Sequence, residues 1–144
     1  MKYWQPYVRA GWELVMEAQG QCQTYLEPDI ESFLVFTMAR NFEKTSVWNK
    51  PIAIAMLEAQ QLPNSQRQPI LQSVGEECLF IDAWQIRQPR WPNPDYFKNM
   101  GEIAFGMAST ATRPPDALLE LASANFKTMS RVLRQVRDLY LHKN

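Results

Sequence analysis

The chain has 144 residues, 15 Lys and Arg against 15 Asp and Glu, and 46% apolar residues, the balance of one ordinary globular domain spanning 1–144. At that size a single core buries roughly 68–70% of the surface that the unfolded chain exposes, so neither disulfides nor a structural metal is needed. Zero formal net charge argues against the strongly basic class that coats nucleic acid.

Residues 1–11 mix Lys, Tyr, Trp, Gln, Pro and Arg and lack the apolar run of an export signal. The uncharged stretches 33–39 and 51–57 fall well short of the roughly 18 residues that span a bilayer. A cytoplasmic protein without a membrane span is the expectation. Three Pro-Asp pairs, Pro28-Asp29, Pro94-Asp95 and Pro115-Asp116, each precede a periodic apolar run. Proline suits the first helical turn, where its missing N–H has no partner to lose, and the aspartate favours the positive end of the helix dipole. With Pro6, Pro51 and Pro63 they predict six helices, near 5–26, 29–43, 50–61, 64–88, 94–111 and 115–142. No Asn-Gly or Asp-Gly turn and no sustained alternation occurs, so the fold class is all-α, a single-domain helical bundle.

The fourth predicted helix carries Ile70, Leu71, Val74, Cys78 and Ile81 on one face and Leu79, Phe80 and Trp84 over much of the rest, which places it in the middle of the domain. On this wheel Glu77 falls inside the apolar arc, Asp82 on its other rim and Glu76 on the opposite side. The segment 86–94 holds three prolines, Pro89, Pro92 and Pro94, and reads as an extended loop presenting Arg87, Arg90 and Trp91. The fifth helix has a bulky stripe, Tyr96, Met100, Ile103 and Met107, and a small one, Gly101, Ala104, Ala108 and Ala111, suited to close helix packing. In the last helix Leu119, Ala122, Phe126, Met129, Leu133, Val136 and Tyr140 form a heptad seam, able to pack within the chain or against a second copy.

One histidine, His142, lies two residues from the C-terminus, too few imidazoles for di-iron or three-histidine metal sites and a poor place for a catalytic base. Phosphate-binding glycine motifs and Cys-x-x-Cys pairs are absent, so no cofactor or metal is expected. Cys22 and Cys78 read as reduced core thiols. Carboxylate chemistry needs no histidine, and Glu77 with Asp82 is the best pair for it. A buried carboxylate is costly without a partner, so Glu77 is expected to pair with an arginine such as Arg40 or to sit at the edge of the core ahead of any catalytic role. Residues 1–82 hold 6 basic and 10 acidic side chains and residues 113–144 hold 6 and 3. The basic element is therefore the last helix, with Lys127, Arg131 and Arg134 on one stripe that suits solvent or an acidic protein partner better than nucleic acid.

The run Gly75-Glu-Glu-Cys-Leu-Phe80, then Pro94-Asp-Tyr-Phe-Lys-Asn-Met-Gly101 and Ala104-Phe105, resembles a pattern in a family of uncharacterised bacterial all-helical proteins. There a Gly-acid-x-small-Leu-aromatic run precedes Asp-Tyr-aromatic, Met-Gly and Ala-aromatic. The resemblance covers about 30 residues, implies no activity, and implies only that the fourth and fifth helices and their connection form one unit. On physical grounds Glu76 or Glu77 of that unit is expected to accept from the Tyr96 hydroxyl or to meet Arg87 or Arg90, as a structural network first and a binding site second. Two functions follow as expectations. The first is protein–protein interaction, as a homodimer through the heptad seam or through the Trp91 loop, where Trp and Arg would dominate the interface. The second is an apolar small molecule or lipid held between helices, with carboxylate chemistry at Glu77 and Asp82. Binding residues under these readings are Glu77, Asp82, Trp84, Arg87, Arg90, Trp91 and Tyr96, and binding is favoured over catalysis.

Overall fold

Seven helices and no strand make up the regular structure of the computed structural model, which describes residues 5–41, 51–84 and 93–142, with the side chains of Gln5, Pro6 and His142 outside that description. They are α1 (Gln5–Cys22), α2 (Pro28–Asn41), α3 (Ile52–Ala59), α4 (Asn64–Trp84), α5 (Tyr96–Thr110), α6 (Ala117–Ala124) and α7 (Phe126–His142). No helix among the described residues is long and apolar enough to cross a membrane.

The expected helix 5–26 ends four residues early. Gln23 takes φ 51°, and the Thr24 N–H donates to the Gln19 carbonyl at 3.2 Å, a left-handed stop in which a glutamine occupies the place usually given to glycine. The buried Gln19 side chain then fixes the turn, accepting from the Leu26 N–H at 2.7 Å and donating to the Glu31 carboxylate. The three Pro-Asp pairs turn out to differ. Asp116 caps α6, accepting from the Leu119 N–H at 3.0 Å. Asp29 lies inside the first turn of α2, and Asp95 precedes α5 without a side-chain cap bond.

The single last helix expected at 115–142 is two helices. At Asn125 the side-chain amide donates to the Leu121 carbonyl at 2.8 Å and φ moves to −106°, a local bond that competes with helix continuation. The seam runs through the break with Leu119, Ala122, Phe126, Met129, Leu133 and Val136 all buried, whereas Tyr140 is 47% exposed. The break splits its partners: α6 packs on α5 and α2, while α7 packs mainly on α1 and α4. These six residues are spent on the protein's own core and are not available to pair with a second copy.

The most extensive helix contact joins α4 to α5, the segments that carry the family resemblance, and its closeness comes from glycine. A Cβ on Gly75 would lie 2.7 Å from the Phe105 ring, and one on Gly101 would collide with Phe126. Phe33, Phe105 and Phe126 run through the core in succession, with ring centroids 5.7 and 6.1 Å apart. Burying each ring contributes about 1.5–3 kcal/mol. The small stripe of α5 faces inward, with Gly101, Ala104, Ala108 and Ala111 buried, and Ile103 of the bulky stripe faces out.

Candidate functional site

Two polar constellations surround α4, and the first corrects the helical-wheel reading of its acids. Glu76, only 4% exposed, is the buried carboxylate. It accepts from Arg40 at 2.8 Å, Asn41 Nδ2 at 2.9 Å and Gln72 Nε2 at 3.0 Å, and the same Arg40 nitrogen reaches Thr37 Oγ1 at 3.2 Å. The arginine expected for Glu77 therefore belongs to Glu76. Glu77 is half-buried on the outward side of α4, because Ile70 and Trp84, which define its arc on the wheel, are themselves 39% and 36% exposed. Apolar side chains on a solvent face displaced the apparent centre of the core. Three donors saturate Glu76 and join α2 to α4, which makes it a structural hub.

The second constellation lies where α4 ends. Ser130, buried on α7, donates its hydroxyl to Asp82 Oδ2 at 2.6 Å, and Arg134 stands 4.0 Å from the same oxygen. Arg134 also donates to the carbonyls of Ala83 and Asp82 at 3.3 and 3.4 Å, and Arg137 donates to that of Trp84 at 3.2 Å. Through these bonds two guanidinium groups of α7 fasten it to the last described turn of α4. Beside these contacts opens a polar groove of about 480 Å³, lined by Asp82, Asp95, Lys98, Lys127, Ser130, Arg131 and Arg134 together with Pro94. Lys98 is held at 3.7 Å from Glu102 on its own helix. Lys127 and Arg131 are exposed and make no hydrogen bond or ion pair. Four cations thus face two carboxylates, and two of the cations are unengaged.

Of the residues expected to bind, Asp82 is the one among the described residues that lines this groove. Trp84 lies on the outward side of α4, edge-on to Phe80 with ring centroids 6.4 Å apart. Tyr96 stacks edge-on to Phe97 at 5.0 Å, and burial raises its phenol above the usual range, the nearby Cys78 thiol adding to the shift. Arg87, Arg90 and Trp91 lie outside the described residues. Glu77 and Asp82 are five residues apart on one helix, about 140° around its axis, and so face different neighbours. They flank Cys78, whose thiol is pushed far up first by burial and then by these two negative charges, leaving it protonated and unreactive. No group of three His, Cys, Asp or Glu side chains among the described residues could hold a metal.

Sequence reasoning missed Lys98, Asn41 and Gln72, and it paired Arg40 with Glu77 where the structure pairs it with Glu76. Lys98 joins the groove from a different helix, and no periodicity within one helix signals such a meeting. A second crevice, of about 560 Å³, lies between α2, α4 and α6, with Phe33, Phe36, Leu118 and Leu119 in its walls and Arg40 and Gln72 on its polar side. Its lining comes from α2, α4 and α6, with none from α5. No protein-family model, curated protein or solved structure matches the chain.

Proposed function

We propose that the protein works by binding another protein at the face formed by the end of α4, the start of α5 and α7. The observation that carries this reading is the groove itself, where Lys127 and Arg131 stand exposed without an ion-pair partner beside the last described turn of α4, which Arg134 and Arg137 hold. The buried acids are committed elsewhere: Glu76 to three donors, and Asp82 to Ser130 and Arg134. Charge that is not spent on folding is available for recognition, and complementary charge sets encounter rate and partner choice. The test places a photo-crosslinking amino acid at Asp95, which lines the groove and makes no side-chain cap bond. Irradiation in the host cell should yield a defined protein adduct that disappears in the Lys127→Glu, Arg131→Glu double variant, with thermal stability unchanged. The absence of an adduct, or an adduct indifferent to charge reversal, would refute the reading.

The crevice between α2, α4 and α6 favours a second reading, an apolar small molecule seated on Phe33, Phe36 and Leu118. Native mass spectrometry of gently purified protein should then show a few hundred daltons of extra mass that vanish on denaturation, and a bare chain mass would remove this reading.

A further inference from the structure

We infer that the groove at the end of α4 is a docking site for an acidic peptide segment, with Lys98, Lys127 and Arg131 as the contact residues and Arg134 as the residue that positions them. This inference rests on the protein-binding reading and adds the chemistry of the occupant. Lys127, Arg131 and Arg134 sit on one side of α7 over two turns, a rise of about 10 Å, and Lys98 faces them from α5 across the groove. An extended row of cations on two walls matches a chain of spaced carboxylates better than it matches one compact anion.

The structure divides the basic stripe of α7 into two kinds of residue. Arg134 is tied to the Asp82 carboxylate and to two α4 carbonyls, and its neighbour Arg137 to the Trp84 carbonyl and Asp138. Their guanidinium groups lock α7 against the end of α4. Lys127 and Arg131, two turns and one turn earlier than Arg134, carry no such ties. The fixed pair therefore supplies geometry and the free pair supplies recognition.

Asp82 and Asp95 within the same groove argue for a peptide over a nucleic acid. A phosphate backbone presents acceptors only and would meet two carboxylates, whereas a peptide carries backbone N–H donors that those carboxylates can accept. With a net charge of zero the chain gives no long-range attraction to either kind of polyanion, so whole-chain charge does not choose between them. Recognition is then local, and it depends on the match within the groove.

The experiment measures fluorescence anisotropy of a fluorescein-labelled octaglutamate peptide, with a labelled oligothymidylate of equal charge as comparison, at low ionic strength. Wild type should bind the peptide more tightly than the oligonucleotide. Lys127→Glu, Arg131→Glu should weaken the peptide by roughly tenfold or more, through lost pairs and new repulsion. Lys98→Glu alone should weaken it by roughly threefold, which separates a two-walled groove from a one-helix stripe. Melting temperatures within about 2 °C of wild type would show that all three side chains are dispensable for folding. Tighter oligonucleotide binding, equal binding by wild type and the double variant, or no effect of Lys98→Glu overturns the assignment. If octaglutamate fails while the crosslinked adduct at Asp95 persists, the acidic occupant is wrong and protein binding stands; if both fail, both are refuted.

Discussion

Replacing Gly101 by alanine tests the packing of α5 against its neighbours, because two opposed effects meet at one methyl group. Alanine in a helix interior is favoured over glycine by about 0.8–1.0 kcal/mol. Against this, the new Cβ would lie 2.6 Å from Phe126 Cζ and 2.9 Å from Cys78 Cβ, when carbon atoms prefer about 3.5–4.0 Å. Phe126 and Cys78 are completely buried, and Phe126 is backed by Phe105, so neither can retreat into empty space. Overpacking of this kind costs about 1–3 kcal/mol, and a clash on two sides belongs at the upper end. The net loss is then about 2 kcal/mol, or about 8 °C in melting temperature for a domain of this length. Gly106→Ala on the same helix is the control, since its Cβ would meet Ser123 Oγ at an ordinary 3.5 Å. It should raise the melting temperature by about 4 °C through the propensity gain alone. The difference between the two variants cancels propensity and leaves packing. Circular dichroism melts with urea titrations for the m-value would measure it. A Gly101→Ala protein as stable as Gly106→Ala would refute the close approach of α5 to Phe126.

Three further outcomes follow from other parts of the molecule. Gln23→Gly should stabilise the protein by about 1 kcal/mol, because the left-handed φ at the end of α1 penalises any residue with a Cβ; an unchanged urea midpoint would count against that stop. Arg40→Ala should cost about 2 kcal/mol, less than a fully buried pair, since Arg40 is 39% exposed and Asn41 and Gln72 still donate to Glu76. An undiminished melting temperature in that variant would show that the hub contributes nothing. For Cys78 the folded-state thiol is raised above its unfolded value of about 8.5, so its contribution is fully present below that pH. At higher pH the unfolded chain loses this proton and the folded chain keeps it, and stability should fall by about 1.4 kcal/mol per pH unit. Cys78→Ala should flatten this alkaline slope, and Cys78 in the native protein should resist Ellman's reagent at pH 8; rapid labelling would refute its burial.

Class and element placement were legible because they rest on local signals. Proline at helix starts, the absence of turn dipeptides and the 3–4 spacing of apolar residues report the backbone directly, and the seam from Leu119 to Val136 is buried as its spacing implies. The endpoints were less legible where an uncommon residue did the work. Gln23 in a left-handed conformation and Asn125 bonding back to Leu121 interrupt helices without disturbing the apolar period. Nor could the period identify the seam's partners, since α1, α2, α4 and α5 all present apolar faces.

The site was the least legible part. A helical wheel weighs every apolar residue as core, and on α4 the exposed Ile70 and Trp84 shifted the apparent core toward Glu77. The true buried acid was its neighbour Glu76, one residue and 100° away. The groove required Lys98 and Asp95 from α5, Asp82 from α4, and Lys127 and Arg131 from α7 to meet, and their separations in the chain carry no trace of it. By itself the sequence determined that this chain is helical, roughly where most of its helices start, and much of the core, because each of these depends on neighbours within a turn or two. Only the tertiary structure decided which carboxylate is enclosed, which arginines are consumed in holding α7 to α4, and which cations remain free, because burial and charge pairing are set by residues that folding alone brings together.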